Sequence, residues 1–150
     1  MIKSVSLGAD HGGYELKEAI KEHLDTIGIS YIDCGTNSTV SVDYPDMAVP
    51  PCRLVQEHKV DAALLFCGTG VGMSIAANKL KGIRACCCSD VFSARYTRLH
   101  NDANALCMGG RVIGAGLAIE LVDAFLEGEP EGGRHAQRVA KVIALENAEQ

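Results

Sequence analysis

The chain has 150 residues, 47% hydrophobic and 22% charged, a globular mixture sized for one domain over 1–150 and too short for two ordinary ones. Fourteen basic against nineteen acidic residues leave a net charge of −5, which argues against a general affinity for nucleic acid or an anionic membrane. The opening MIKSVSLGADHGG holds no apolar stretch long enough for a signal peptide, and no later segment approaches a membrane span, so a cytosolic protein is expected.

Lys3–Gly8 is apolar at alternate positions and reads as a first strand. Leu16, Ile20, Leu24 and Ile27 recur at spacings of four and three, predicting an amphipathic helix over Tyr14–Ile27 that stops at Gly28. Ser30–Asp33 is a second short strand and Thr36–Tyr44 a polar loop. Pro45, Pro50 and Pro51 fit a first helical turn but not a helix interior, so the next helix is expected only over Cys52–His58. Ala62–Cys67 is almost wholly apolar, as in a strand covered on both faces. Gly72–Lys79 then reads as helix, Ile83–Ser89 as a fourth strand, Val91–Leu99 as helix and Ala105–Met108 as a fifth strand. A helix near Leu117–Leu126, a break at Gly128–Gly133 and a last helix over about His135–Asn147 follow. Such alternation with short connections implies right-handed crossovers and a five-stranded parallel sheet in an α/β sandwich, with the C-terminal helix left over. Ligands of such folds bind at the carboxyl ends of the strands.

The seven cysteines (34, 52, 67, 86, 87, 88 and 107) are odd in number, with no CxxC pair and no Cys/His spacing of a zinc site. Most of them read as small apolar core residues, the consecutive Cys86–Cys88 included.

Four strand ends carry residues with chemical potential. Asp10 and His11 follow the first, Cys67–Gly72 the third, His100 and Asn101 close the helix after the fourth, and Arg111 follows the fifth. In Cys67-Gly68-Thr69-Gly70-Val71-Gly72 the glycines let backbone amides face one point, and the following helix adds the positive end of its dipole. Such a nest binds phosphate or stabilises an oxyanion, and the same field would lower the pKa of Cys67. By spacing alone the loop equally suits a dinucleotide or phosphate site with an incidental cysteine. His11 and His100 alone could be buried, satisfied histidines or helix caps; their placement at two strand-end loops favours function. His23 and His58 fall in helical segments and read as surface residues, while His135 stays open. Arg134 and Arg138, four apart, share a helix face and suit a phosphate dianion, although solvated surface charge is the commoner fate of arginine.

GADHGGYELK at 8–17, preceded by Leu7, then VDYPD at 42–46, CGTGVGMSIAANK at 67–79, GIRA at 82–85, HNDAN at 100–104, GGRVIG at 109–114 and EGGRHAQRV at 131–139 occur in an order that resembles the type B ribose-5-phosphate isomerases, whose superfamily also holds galactose-6-phosphate isomerase subunits. The likeness runs nearly end to end. It implies a Rossmann-like three-layer α/β/α subunit, a homodimer sometimes paired into a tetramer, active sites at the subunit interface, and no metal or organic cofactor. It further implies that Cys67 moves the proton between C1 and C2 of a phosphorylated sugar. The amides of Gly68–Gly72 and the Thr69 hydroxyl would stabilise the enediolate, and His100 would help to open the furanose ring. Asp10, His11 and Asn101 would contact the sugar or its phosphate end, and Arg111, Arg134 and Arg138 would bind phosphate, the last two from the partner subunit. Some relatives place glutamate where this chain has Met73, which cannot act as a base. The Pro50–Pro51 pair and the Cys86–Cys88 triplet depart from the family pattern outside its motifs. Ribose 5-phosphate is the expected substrate; allose or galactose 6-phosphate, or a non-catalytic phosphate-binding role, are the alternatives.

Overall fold

The computed structural model describes residues 1–148. Five strands, β1 (Ser4–Ala9), β2 (Ser30–Asp33), β3 (Ala62–Cys67), β4 (Ala85–Cys87) and β5 (Ala105–Gly109), alternate with helices α1 (Tyr14–Ile27), α2 (Tyr44–Gln56), α3 (Val71–Ala77), α4 (Val91–Asn101), α5 (Ala115–Glu127) and α6 (Gly133–Leu145). All their pairings are parallel, in the order β2-β1-β3-β5-β4. The three-layer α/β/α sandwich read from the sequence is therefore present. Side chains alternate across the sheet. Val5, Leu7, Leu64 and Phe66 meet α1, α4 and α5 on one face, whereas Ala63, Leu65 and Cys67 meet α2 and α3 on the other. Each buried Leu or Phe contributes roughly 1.5–3 kcal/mol, so these two layers, more than helix propensity, hold the helices.

Most element boundaries fall within two residues of the sequence reading. The largest difference is α2, which begins at Tyr44 and carries Pro50 and Pro51 in its interior. Proline removes an amide and frees a carbonyl one turn earlier. Here the Met47 carbonyl faces Gly8 of β1, where a Cβ would stand 2.6 Å from its oxygen, and the buried Ser6 hydroxyl donates to the Pro51 carbonyl at 2.8 Å. The prolines thus sit on the face of α2 that packs closely against β1, where Gly8 leaves room for the Met47 carbonyl and Ser6 ties the Pro51 carbonyl to the strand. Fourth-strand pairing is shorter than expected, three residues, because β4 pairs only with β5 and the chain leaves at once for the Asp90 cap, whose carboxylate accepts the Ser93 amide at 2.7 Å.

Two polar residues tie helices to the body. Lys17 of α1 is buried, its ammonium 2.5 Å from Asp33 at the end of β2 and 3.0 Å from Glu18. His23, read as a surface residue, instead places Nε2 2.6 Å from Asp123 and links α1 to α5; helical periodicity carries no information about the partner helix. α6 packs mainly against α4, and His135 is its one buried residue.

The carboxyl ends of β1 and β3 are in backbone contact at Gly13, where a Cβ would lie 2.3 Å from the Phe66 carbonyl carbon. Gly13→Ala is expected to cost about 3 kcal/mol, the upper part of ordinary overpacking losses. Gly28→Ala, in open space at φ 71°, should cost only about 1 kcal/mol for its left-handed backbone. Urea denaturation of the two variants checks the ranking, and equal losses would contradict it.

Candidate active site

β3 ends at Cys67 and turns through Gly68, Thr69 and Gly70 into α3. Gly70 takes φ 81°, a left-handed conformation that costs glycine no Cβ clash. Its N–H donates to Cys67 Sγ at 3.1 Å, the arrangement that supports negative charge on sulfur. Thr69 Oγ1 accepts the Val71 amide at 3.3 Å. The amides of Gly72 and Met73, in the first turn of α3, have no intrahelical acceptor. Cys67 itself is only 4% exposed, at the floor of the loop.

β1 and β5 close on this loop from both sides. A Cβ on Gly12 would stand 2.9 Å from the Gly68 nitrogen, and one on Gly110 would stand 2.5 Å from the Gly12 oxygen. The Gly110 amide donates to the Cys67 carbonyl at 2.9 Å and the Arg111 amide to the Gly68 carbonyl at 3.0 Å. This places the Arg111 guanidinium over Gly68, with Nη1 3.2 Å from where a Cβ would sit. Asp10 Oδ1 accepts the amides of Gly12 and Gly13 at 2.9 and 3.1 Å, so one carboxylate oxygen shapes the turn. His11 Nδ1 accepts the Val42 amide at 3.2 Å, anchoring the 36–43 loop and leaving Nε2 to carry the ring proton. Asp10, His11, Cys67, Gly68, Thr69, Gly70, Val71, Gly72 and Arg111 therefore gather at one sheet edge.

His100, Asn101, Arg134 and Arg138 do not join them within one chain. His100, Asn101 and Arg138 line a separate groove of about 1000 Å³, together with His135, and no residue of the Cys67 loop lines it. The rings of His100 and His135 stack at 4.0 Å and 6°. Arg134 Nε donates to His135 Nε2 at 3.4 Å. Burial, with His100 and Arg134 nearby, holds the His135 imidazole below its ordinary pKa, so it stays neutral further into the acid range. Sequence reading left His135 open and passed over Glu131; their spacing of four along EGGRHAQR was the available signal.

The cysteine triplet corrects the core reading. Cys88 is buried, but Cys86 is partly exposed and Cys87 exposed, because β4 lies at the sheet edge. Cys87 Sγ lies 3.5 Å from the Thr69 carbonyl oxygen, behind the Cys67 loop. Tyr44, at the start of α2, packs against Gly72 and was also missed; a Cβ there would lie 3.0 Å from its ring.

An amide-lined loop around a thiol, beside a guanidinium, lies at the point where the sheet order reverses between β1 and β3, the ligand crevice of Rossmann-like proteins. That is the site of an α/β protein equipped for a small anionic ligand. Residues 5–142 match the Ribose/Galactose Isomerase family, and the chain belongs to it. It is 48% identical to the ribose-5-phosphate isomerase B of Escherichia coli K12, over 97% of both chains. It superposes on the Clostridium thermocellum ribose-5-phosphate isomerase B with a TM-score of 0.94 at 46% identity, covering 96% of this chain and 97% of that one. The Mycoplasma genitalium ribose-5-phosphate isomerase B with bound ribulose-5-phosphate gives 0.92 at 38% identity, covering 97% of each.

Burial pushes the Cys52 and Cys88 thiols up to about 12 and the Cys107 thiol well above its ordinary value. Iodoacetamide near neutral pH is therefore expected to spare these three, to reach the exposed Cys87 slowly, and to modify Cys67 in a manner that a phosphosugar suppresses. Peptide mass spectrometry reads each site. Equal modification of Cys52, Cys107 and Cys67 would refute the assignment.

Proposed function

We propose that the chain interconverts ribose 5-phosphate and ribulose 5-phosphate through an enediolate, with Cys67 as the base. The observation that carries this reading is the Cys67 sulfur facing the Gly70 amide at 3.1 Å, at the β1/β3 crevice of a ribose/galactose isomerase family member. The Cys67 thiolate takes the C2 proton of the linear aldose, and the freed electron pair forms the C1–C2 double bond. The carbonyl pair moves to O1, which takes up a proton as O2 gives one up, and return of the carbon-bound proton to C1 gives the ketose. The Thr69 hydroxyl and those amides of Gly68–Gly72 that are not bonded within the loop stabilise the oxygen on which charge develops. His100 assists ring opening, while Asp10, His11 and Asn101 contact the sugar or its phosphate end. Arg111, Arg134 and Arg138 receive the phosphate.

The separation of His100, Asn101 and Arg138 from Cys67 supports a homodimer, or a pair of dimers, whose sites lie between subunits. So does α6, which buries one residue and exposes Val142, Ile143 and Leu145. In such an assembly His100 and Asn101 would travel with Arg134 and Arg138 from one subunit, and Cys67, Asp10 and Arg111 would belong to the other.

Proton NMR in deuterated buffer with a panel of phosphosugars tests the reaction. Ribose 5-phosphate should lose its C2 proton signal and yield ketose. Turnover of allose or galactose 6-phosphate alone would move the assignment to six-carbon sugars, and binding without turnover would make the chain a phosphate-binding module. Cys67→Ala should lower kcat by about 10²–10⁴-fold with binding retained, as for loss of a proton-transfer group; near-normal turnover would remove Cys67 from that role.

Subunit mixing tests the shared site. Cys67→Ala and Arg138→Ala chains, each nearly inactive, should together recover towards roughly a quarter of wild-type activity, since half the random dimers are mixed and each holds one intact site of two. His100→Asn should complement Cys67→Ala in the same way but not Arg138→Ala, because both of its lesions lie on the same half-site. Verified exchange without recovery would place all these groups in one chain.

A further inference from the structure

His100, Glu131 and His135 bring three metal-binding side chains together outside the Cys67 loop. Each Nε2 approaches the same carboxylate oxygen, at 3.6 Å from His100 and 3.5 Å from His135, and the three ligand atoms all lie within 4.8 Å of one another. With metal–ligand bonds of about 2.0–2.1 Å, neighbouring ligands of a tetrahedral zinc ion stand about 3.3 Å apart. Closing this cluster on an ion takes side-chain rotations that turn the two imidazoles out of their parallel stack, so that both nitrogens point to one centre. The backbone keeps the segments together: the Glu131 amide donates to the Leu99 carbonyl at 3.0 Å, one residue before His100.

We infer that His100, Glu131 and His135 form a site for a divalent transition-metal ion of the zinc type, and that an ion held there inhibits the enzyme by occupying His100. Two imidazoles and one carboxylate suit zinc better than magnesium or calcium, which prefer all-oxygen shells, and the fourth position is left to water. Two features oppose binding. The Arg134 hydrogen bond to His135 Nε2 must be given up, and Arg138 adds positive charge to the same groove. Glu131 supplies the compensating charge, so the ion is an inhibitor that binds reversibly and is displaced by chelation. The binding half of this inference stands on the cluster alone; the inhibitory half rests on the isomerase reading.

Cobalt(II) and zinc(II) are the probes. Cobalt titration of the wild-type and Cys67→Ala proteins should give visible d–d absorption without a sulfur-to-metal charge-transfer band. Calorimetry with zinc should show affinity falling at least about tenfold in Glu131→Gln, a near-isosteric change at a half-exposed residue. Equal zinc affinity in Glu131→Gln, or cobalt bands of thiolate ligation alone, would overturn the site. In the isomerase assay, Glu131→Gln should keep its activity without zinc and need at least about tenfold more zinc for inhibition. Zinc that binds through Glu131 yet leaves turnover unchanged would overturn the inhibitory half. Should the chain turn over no phosphosugar, the spectra and calorimetry still decide the binding half.

Discussion

At the carboxyl edge of the sheet the ends of β1, β3 and β5 lie backbone against backbone. Gly12 meets Gly68, Gly110 meets Gly12, and a Cβ on Gly109 would stand 2.6 Å from the Thr69 carbonyl carbon. Much of the site follows from this approach. It draws the Arg111 guanidinium over Gly68 and lets the Cys67 carbonyl accept the Gly110 amide. It also turns one Asp10 oxygen inward to satisfy the amides of Gly12 and Gly13. Donors fixed in this way need little reorganisation when charge develops in front of them, and that is where electrostatic catalysis gains most.

The arginine-bearing half has the opposite character. α6 is a 13-residue helix with a single buried residue, and helices of that length are marginal without tertiary packing. Its exposed apolar side chains, Val142, Ile143 and Leu145, and its two arginines lie on the same element. In the proposed assembly, burying the former against a second subunit would carry the latter to a phosphate. Ordering of the arm and completion of the site would then be one event. The net charge of −5 makes this local placement necessary, since the overall field repels an anionic substrate.

Legibility in the sequence followed the range of the interactions involved. Strand β3 and helices α1 and α5 were readable because hydrophobic period is local. The Cys67 loop was readable because its glycines and its cysteine are consecutive. Helix α2 was not, since its proline-bearing face packs against Gly8 and Ser6 of β1, about forty positions away in the chain. Cys87 was misread because apolar composition does not reveal that β4 is an edge strand. The burial of Lys17 is likewise non-local, since Asp33 at the end of β2 meets its ammonium there. The division of the candidate site was legible only in part: the resemblance implied Arg134 and Arg138 from a partner subunit, but not that His100 and Asn101 line their groove apart from the Cys67 loop. Motif order says which residues a family uses, not which of them one chain can bring together.

The neighbourhood of Cys67 also explains why the base would reside at 67 and not at 73. Met73 is fully buried in the same apolar layer as Cys67. A carboxyl group in such surroundings is made more basic by desolvation, which disfavours its charged form. A glutamate at this position in relatives would draw on that effect. A thiol begins from the other side: it ordinarily titrates near 8.5, so hydrogen-bond donors, not burial, favour its charged form. The Gly70 amide supplies such a donor at the sulfur, while the methionine keeps the adjoining wall apolar and uncharged. A second negative charge there would oppose thiolate formation at short range. With a cysteine base at 67, an uncharged residue at 73 would avoid that repulsion.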